Sequence, residues 1–205
     1  MHAVAWNDYL CPWAYLGRDR SHLLRDLGVT VTQLPYELHP ELPPEGRDVR
    51  PHSRLASVFD LIGDECAQLD IPFRAPTHVP NTRHALEVSE VVRVHAAEHF
   101  VALDEGLARA YWVDGLDLGD RRVVEQIVAT AGASLDDVRE LVADGVGTSG
   151  VEASMAEARD HGVTATPAWW VDDRLLIPGA QPRETIARWV TRLQERPAAG
   201  TSPHL

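Results

Sequence analysis

The placement of Cys11-Pro12 between a short apolar run and a helical repeat constrains this chain more than any other feature. Ala3-Val4-Ala5-Trp6 reads as a strand, while Leu16, Leu23, Leu24 and Leu27 share one helix face, which predicts a helix over Tyr15 to Leu27. Pro12 suits the first helical position, where the missing N–H is not needed and the fixed φ starts the turn, so Cys11 becomes the N-cap. A sulfur there faces unpaired backbone N–H groups and the positive end of the helix dipole. That arrangement favours a thiolate and predicts a lowered pKa for Cys11. A free cysteine can equally be a small buried hydrophobe, and this stretch alone leaves both readings open.

Periodicity and turn residues organise the remainder. Gly28 marks a helix stop, and Val29 to Leu34 alternates as a strand, giving a strand, helix and parallel strand joined by a right-handed crossover. The loop from His39 to Pro51 is rich in Pro, Glu and Arg and reads as passing over the edge of the site, with His39 as a solvated histidine. Helical spacing then dominates: Val58, Leu61, Ile62, Cys66 and Leu69 form one apolar face, ended by Ile71-Pro72. Further helices are predicted over Arg83 to His99 with Pro80-Asn81 as its cap region, Phe100 to Val113, Asp120 to Ala131, and Ser134 to Val142. Cys66 belongs to the core by this pattern. Thr148 or Ser149 is expected to cap a returning helix that runs through Asp160. A turn, a strand, the Asp172-Asp173 turn and a second strand follow, then a last helix bearing Ile186, Trp189, Val190 and Leu193. The segment from Arg196 to Leu205, rich in Pro, Ala, Gly and Ser, is expected to be mobile.

Several function classes are disfavoured. The chain has a net charge of -12 and contains no lysine, so it lacks the clustered cations that nucleic acid binding requires. No apolar run approaches the ~20 residues needed to cross a bilayer, and the first strand starts almost at Met1, so a cytoplasmic protein with free thiols is expected. His95 and His99 stand four apart but lack a third ligand at fixed spacing, and with His84 they read as surface histidines, with no metal expected. Neither a phosphate-binding Gly-rich loop nor a Ser-centred elbow is present.

The stretch Asp8-Tyr9-Leu10-Cys11-Pro12-Trp13-Ala14-Tyr15-Leu16-Gly17, with Gly162 to Pro182 containing Thr166-Pro167, resembles the DsbA family, specifically its FrnE-like branch. That branch is related to 2-hydroxychromene-2-carboxylate isomerases and kappa-class glutathione transferases. The similarity continues through Tyr36-Glu37-Leu38-His39-Pro40, Pro43-Pro44-Glu45-Gly46, Pro80-Asn81-Thr82 with Ala85, and Ala110-Tyr111-Trp112, and so spans nearly the whole chain. It implies an α/β thioredoxin fold made of residues 1–52 and 146–195, an all-helical insertion over 53–145, and a tail over 196–205. It also implies a cis peptide at Thr166-Pro167 beside the cysteine, where an ordinary trans turn is the alternative.

The resemblance implies Cys11 as nucleophile within the motif of Pro12, Trp13 and Ala14, with Thr166, Pro167, Trp13 and Asn81 as the substrate- or thiol-binding residues. Trp13 is expected to line a pocket for a flat apolar substrate. Ala14 departs from the family, because DsbA-like enzymes carry a second cysteine there to resolve the mixed disulfide. His39 stands where relatives tend to carry asparagine, and Pro182 departs from an aspartate-containing segment of the glutathione-using relatives. The implied activity is a monothiol thiol–disulfide oxidoreductase acting on a small thiol, a thiol-conjugated substrate or protein disulfides. Glutathione or mycothiol would be its cosubstrate, and no tightly bound cofactor is expected. Two alternatives stay open: a glutathione- or mycothiol-dependent transferase or isomerase acting on an aromatic substrate, and a redox-inactive binding protein. Relatives are often dimers, which leaves a homodimer open.

Overall fold

In the computed structural model, which describes residues 1–195, the first apolar run forms β1 (His2–Asn7) and the motif opens α1 (Pro12–Asp26). The tail over 196–205 lies outside the described residues. Gly28, at φ 78, turns the chain into β2 (Thr30–Pro35), which pairs parallel with β1 from His2 opposite Thr30 to Asn7 opposite Pro35. The far end of the chain returns as β5 (Ala168–Val171) and β6 (Leu175–Pro178), numbered after β3 and β4 below. β5 lies antiparallel to β1, with Ala3 opposite Val171 and Trp6 opposite Ala168. The β5–β6 turn is Asp172-Asp173, both at φ 55, a left-handed conformation that aspartate tolerates better than most side chains. The sheet order is β2-β1-β5-β6.

Alternation along β1 divides the core between two faces. Ala3 and Ala5 join Leu24 of α1, Trp169, Ile177 and, from α8 (Arg183–Glu195), Ile186 and Val190. Trp6 points the other way, toward Ala158 of α7 (Val146–Asp160), Val163 and Ala168. Trp169 is fully buried and Trp170 only half-buried, as the period of two requires.

Between β2 and α7 the chain is mostly helical: α2 (Arg54–Gln68), α3 (Arg83–His95), α4 (Ala97–Trp112), α5 (Arg121–Ala131) and α6 (Leu135–Ala143). Ser53, Asp120 and Ser134 each accept a backbone N–H at the start of the helix that follows. Their shared apolar core includes Phe59, Val88, Leu103, Leu107, Trp112 and Val128, and it takes in Leu10 from the turn that carries Cys11. The whole is an α/β thioredoxin fold with a helical insertion.

Three local expectations fail. The helix expected over Arg83 to His99 stops at His95, because Ala96 sits at φ -145 and ψ 50 and a new helix begins at Ala97. No Gly or Pro announces that break; packing overrides the good helix propensity of Ala96-Ala97-Glu98. It also puts His95 and His99 on different helices. The returning helix begins at Val146, with Gly145 in the left-handed region as its N-cap, and Thr148 instead donates its hydroxyl to Glu87 at 2.8 Å. Finally, β3 (Arg47–Asp48) and β4 (His78–Val79) form an antiparallel ribbon too short for any periodic signal.

Candidate active site

Cys11 is the N-cap of α1, at φ -80 and ψ 117, with Pro12 behind it as the first helical residue. The backbone bends to present it: the Cys11 N–H donates to the Asp8 carbonyl at 3.1 Å, and the Cys11 carbonyl receives the Ala14 and Tyr15 N–H groups that start the helix. Its thiol donates to the Thr166 carbonyl at 3.3 Å. Thr166-Pro167 is a cis peptide, and the thiol contact brings together residues 155 positions apart in sequence. The Pro167 carbonyl is held by the Gly179 N–H at 2.8 Å, which fixes this loop to the end of β6. Thr166 is buried, and its hydroxyl has no hydrogen-bond partner among the described residues.

Gly17 is what lets α1 come this close. A Cβ at that position would lie 2.8 Å from Pro167 Cγ and 3.1 Å from the Trp169 ring, inside ordinary contact distance. Any side chain there pushes the cis-proline loop away from the sulfur.

The electrostatics differ from the sequence expectation. Cys11 is only 2% exposed, and burial pushes its thiol up from the ordinary range; the contact with Thr166 and then the Ala14 and Trp13 amides pull the other way without prevailing, and the nearby Asp8 charge adds to the rise. The lowered pKa expected of a helix-start cysteine is therefore overturned, because desolvation of a thiolate outweighs the Thr166 contact and the two amides in a closed site.

Trp13, beside Cys11, is 38% exposed, while its neighbours Ala14 and Tyr15 line a cavity between α1 and the insertion. Asn81 has both ends of its amide engaged: Nδ2 donates to the Leu42 carbonyl at 2.8 Å and Oδ1 accepts the Arg83 N–H at 3.0 Å. It ties the start of α3 to the loop after β2, and the half-buried amide keeps one N–H and one acceptor site beyond these two bonds. Ala14, at the position of the absent second cysteine, is buried.

The cavity between α1 and the insertion brings together residues to which the sequence assigned no role in the site. Tyr9 donates to Asp104 at 3.1 Å and shares a 2.8 Å hydrogen bond with Ser89, and Arg18 pairs with Asp104 at 2.7 Å. Trp112 stacks on Tyr15 with ring centres 5.4 Å apart and donates its indole N–H to the Tyr9 carbonyl at 2.8 Å. Asp8 also lines the cavity. Asp8, Tyr9, Tyr15 and Trp112 lie in stretches that carried the family resemblance, but their meeting with Ser89 and Asp104 depends on packing over some 80 to 100 positions. Among the described residues no group of three or more His, Cys, Asp or Glu side chains is arranged to hold a metal. No helix among them is long and apolar enough to cross a membrane.

Comparison with known proteins agrees with this fold. The sequence profile of the DSBA-like thioredoxin domain matches residues 3–190. No curated protein matches the sequence. Among solved structures, a probable DsbA oxidoreductase from Streptomyces coelicolor superposes with a TM-score of 0.87 at 21% identity, covering 98% of this chain and 93% of its own. A 2-hydroxychromene-2-carboxylate isomerase superposes with a TM-score of 0.74 at 18% identity, covering 96% of this chain and 97% of its own. The cytosolic disulfide reductase DsbM from Pseudomonas aeruginosa, with GSH, gives a TM-score of 0.66 at 17% identity, covering 95% of this chain and 100% of its own.

Proposed function

We propose, because this chain belongs to the family of DSBA-like thioredoxin domains, that it is a thiol–disulfide oxidoreductase working through one cysteine. The observation that carries the reading is the Cys11 thiol at the start of α1, 3.3 Å from the carbonyl of the residue before cis-Pro167. In the first step the Cys11 thiolate attacks one sulfur of a substrate disulfide; a new S–S bond forms at Cys11 and the other sulfur leaves as a thiolate. With Ala14 in place of a second cysteine, resolution falls to a small external thiol such as glutathione or mycothiol. That thiol attacks the half of the mixed disulfide that came from the substrate, leaves as the new disulfide, and frees Cys11 as a thiolate. Backbone groups beside Thr166 would receive the extended chain of the bound thiol. The two free, buried cysteines suit the cytoplasm, where such thiols are kept reduced.

A second reading follows from the superposition on a 2-hydroxychromene-2-carboxylate isomerase: Cys11 would polarise the sulfur of a bound thiol toward a small aromatic substrate, as in a transferase or isomerase. Intact-mass spectrometry after incubation with glutathione, or mycothiol, and the matching disulfide separates the two. An adduct of one thiol on Cys11, reversed by excess free thiol, is the expected result. Tight thiol binding without an adduct favours the transferase, and no interaction with either compound sinks both.

A further inference from the structure

Asp8, three residues before Cys11, is 2% exposed and has no part in the exchange steps above. Its carboxyl gathers donors from three segments. Oδ1 accepts the Leu10 N–H at 3.3 Å from the turn that carries Cys11, and the Thr82 hydroxyl at 2.7 Å from the start of α3. Oδ2 accepts the Leu38 N–H at 2.7 Å from the loop after β2. An apolar side chain would orphan three buried donors, and an amide would set its NH2 against one of them.

We propose that Asp8 is a positioning residue for Cys11: its carboxyl ties the turn bearing the thiol to both the β2 loop and the helical insertion, and its charge reaches the sulfur. This rests on the reading of Cys11 as the nucleophile. The charged groups around Asp8 leave it without a cation of its own. Glu37 has the same sign and is held, with Glu87, by Arg83. On the cavity side Arg18 is taken by Asp104 and Arg93 by Glu90. Cys11 and Tyr111 both feel the Asp8 charge as repulsion against their own ionised forms. Burial pushes the Asp8 carboxyl up to about 6, against the pull of its three donors. The carboxyl therefore changes charge in a range where the protein can be handled.

The test is a pH titration of the Cys11 Cβ carbon by NMR in the full chain, a readout that needs no substrate and separates Cys11 from Cys66. The unsubstituted protein should show the thiol step and a smaller inflection near pH 6. Asp8→Asn should erase the inflection and move the thiol step to lower pH. Thr82→Val, which deletes one donor to the carboxylate without touching the sulfur, should move the inflection upward, and Thr82→Ser should restore it. The proposal is overturned if the inflection is absent from the unsubstituted protein or survives Asp8→Asn. Should Asp8→Asn fail to fold, an inflection indifferent to Thr82→Val overturns it equally. A Cys11 that titrates as expected yet never forms a mixed disulfide would remove the oxidoreductase reading and leave Asp8's placement standing.

Discussion

The two cysteines of this protein are both buried, at 2% exposure for Cys11 and 0% for Cys66, and burial pushes both thiols up. Exposure and ionisation alone would class them together. What separates them is what each sulfur faces. Cys66 lies inside α2 among Leu16, Ile62 and Val58, where burial and then Glu65 raise its thiol to about 11. Cys11 sits at a helix start, against a backbone carbonyl and a cis-proline loop, with two helix amides directed at its sulfur. One sulfur is surrounded by hydrocarbon, the other by polar backbone that a second thiol can exploit.

The sharpest way to break this contrast is substitution. Cys11→Ser should reduce disulfide exchange by more than about a hundredfold, since nothing else in the site replaces the nucleophile. Cys66→Ser should leave exchange largely intact and instead cost about 1–3 kcal/mol of stability by placing a hydroxyl in hydrocarbon. Both follow from a turnover assay and a urea melt on the same preparations. Loss of turnover in a well-folded Cys66→Ser protein would show that the two sulfurs work together.

The raised Cys11 thiol fixes the direction of the pH dependence. The thiolate fraction grows about tenfold per pH unit below the thiol pKa, so alkylation of Cys11 should accelerate steadily with pH into the alkaline range. Cys66 should stay unmodified until the protein unfolds. A Cys11 rate already level at neutral pH would show that the helix start prevails over burial after all.

Ala14→Cys should give Cys11 a resolving partner one helical turn away, lowering the steady-state mixed disulfide several-fold on intact-mass analysis and removing the need for external thiol. Gly17→Ala should have the smallest effect, about 1–2 kcal/mol of stability from overpacking against Pro167, with a few-fold slower exchange as the loop moves off the sulfur. An unchanged rate in a destabilised Gly17→Ala protein would mean that the spacing between α1 and the proline loop does not matter to the chemistry.

Much of this was legible from the sequence, for reasons that are local. Pro12 after Cys11 fixed the helix start, Gly28 its stop and Ser134 a cap, because each depends on the conformation of a few adjacent bonds. The resemblance carried by Cys11-Pro12-Trp13 and Thr166-Pro167 placed two distant segments in one site. What it could not provide was the outcome of long-range sums. The break at Ala96 runs against propensity; Tyr15 stacks on Trp112 of the insertion; Asn81 bridges the loop after β2 and the start of α3.

By itself the sequence determined most of the elements and their order, since backbone stereochemistry and side-chain periodicity act within a turn or two; the pairing of Cys11 with Thr166-Pro167 was implied only by the family resemblance. Only the tertiary structure decided the state of the sulfur. Desolvation collects contributions from every group packed around Cys11, including an Asp8 carboxyl anchored by Leu38 and Thr82, and no window along the chain contains that sum.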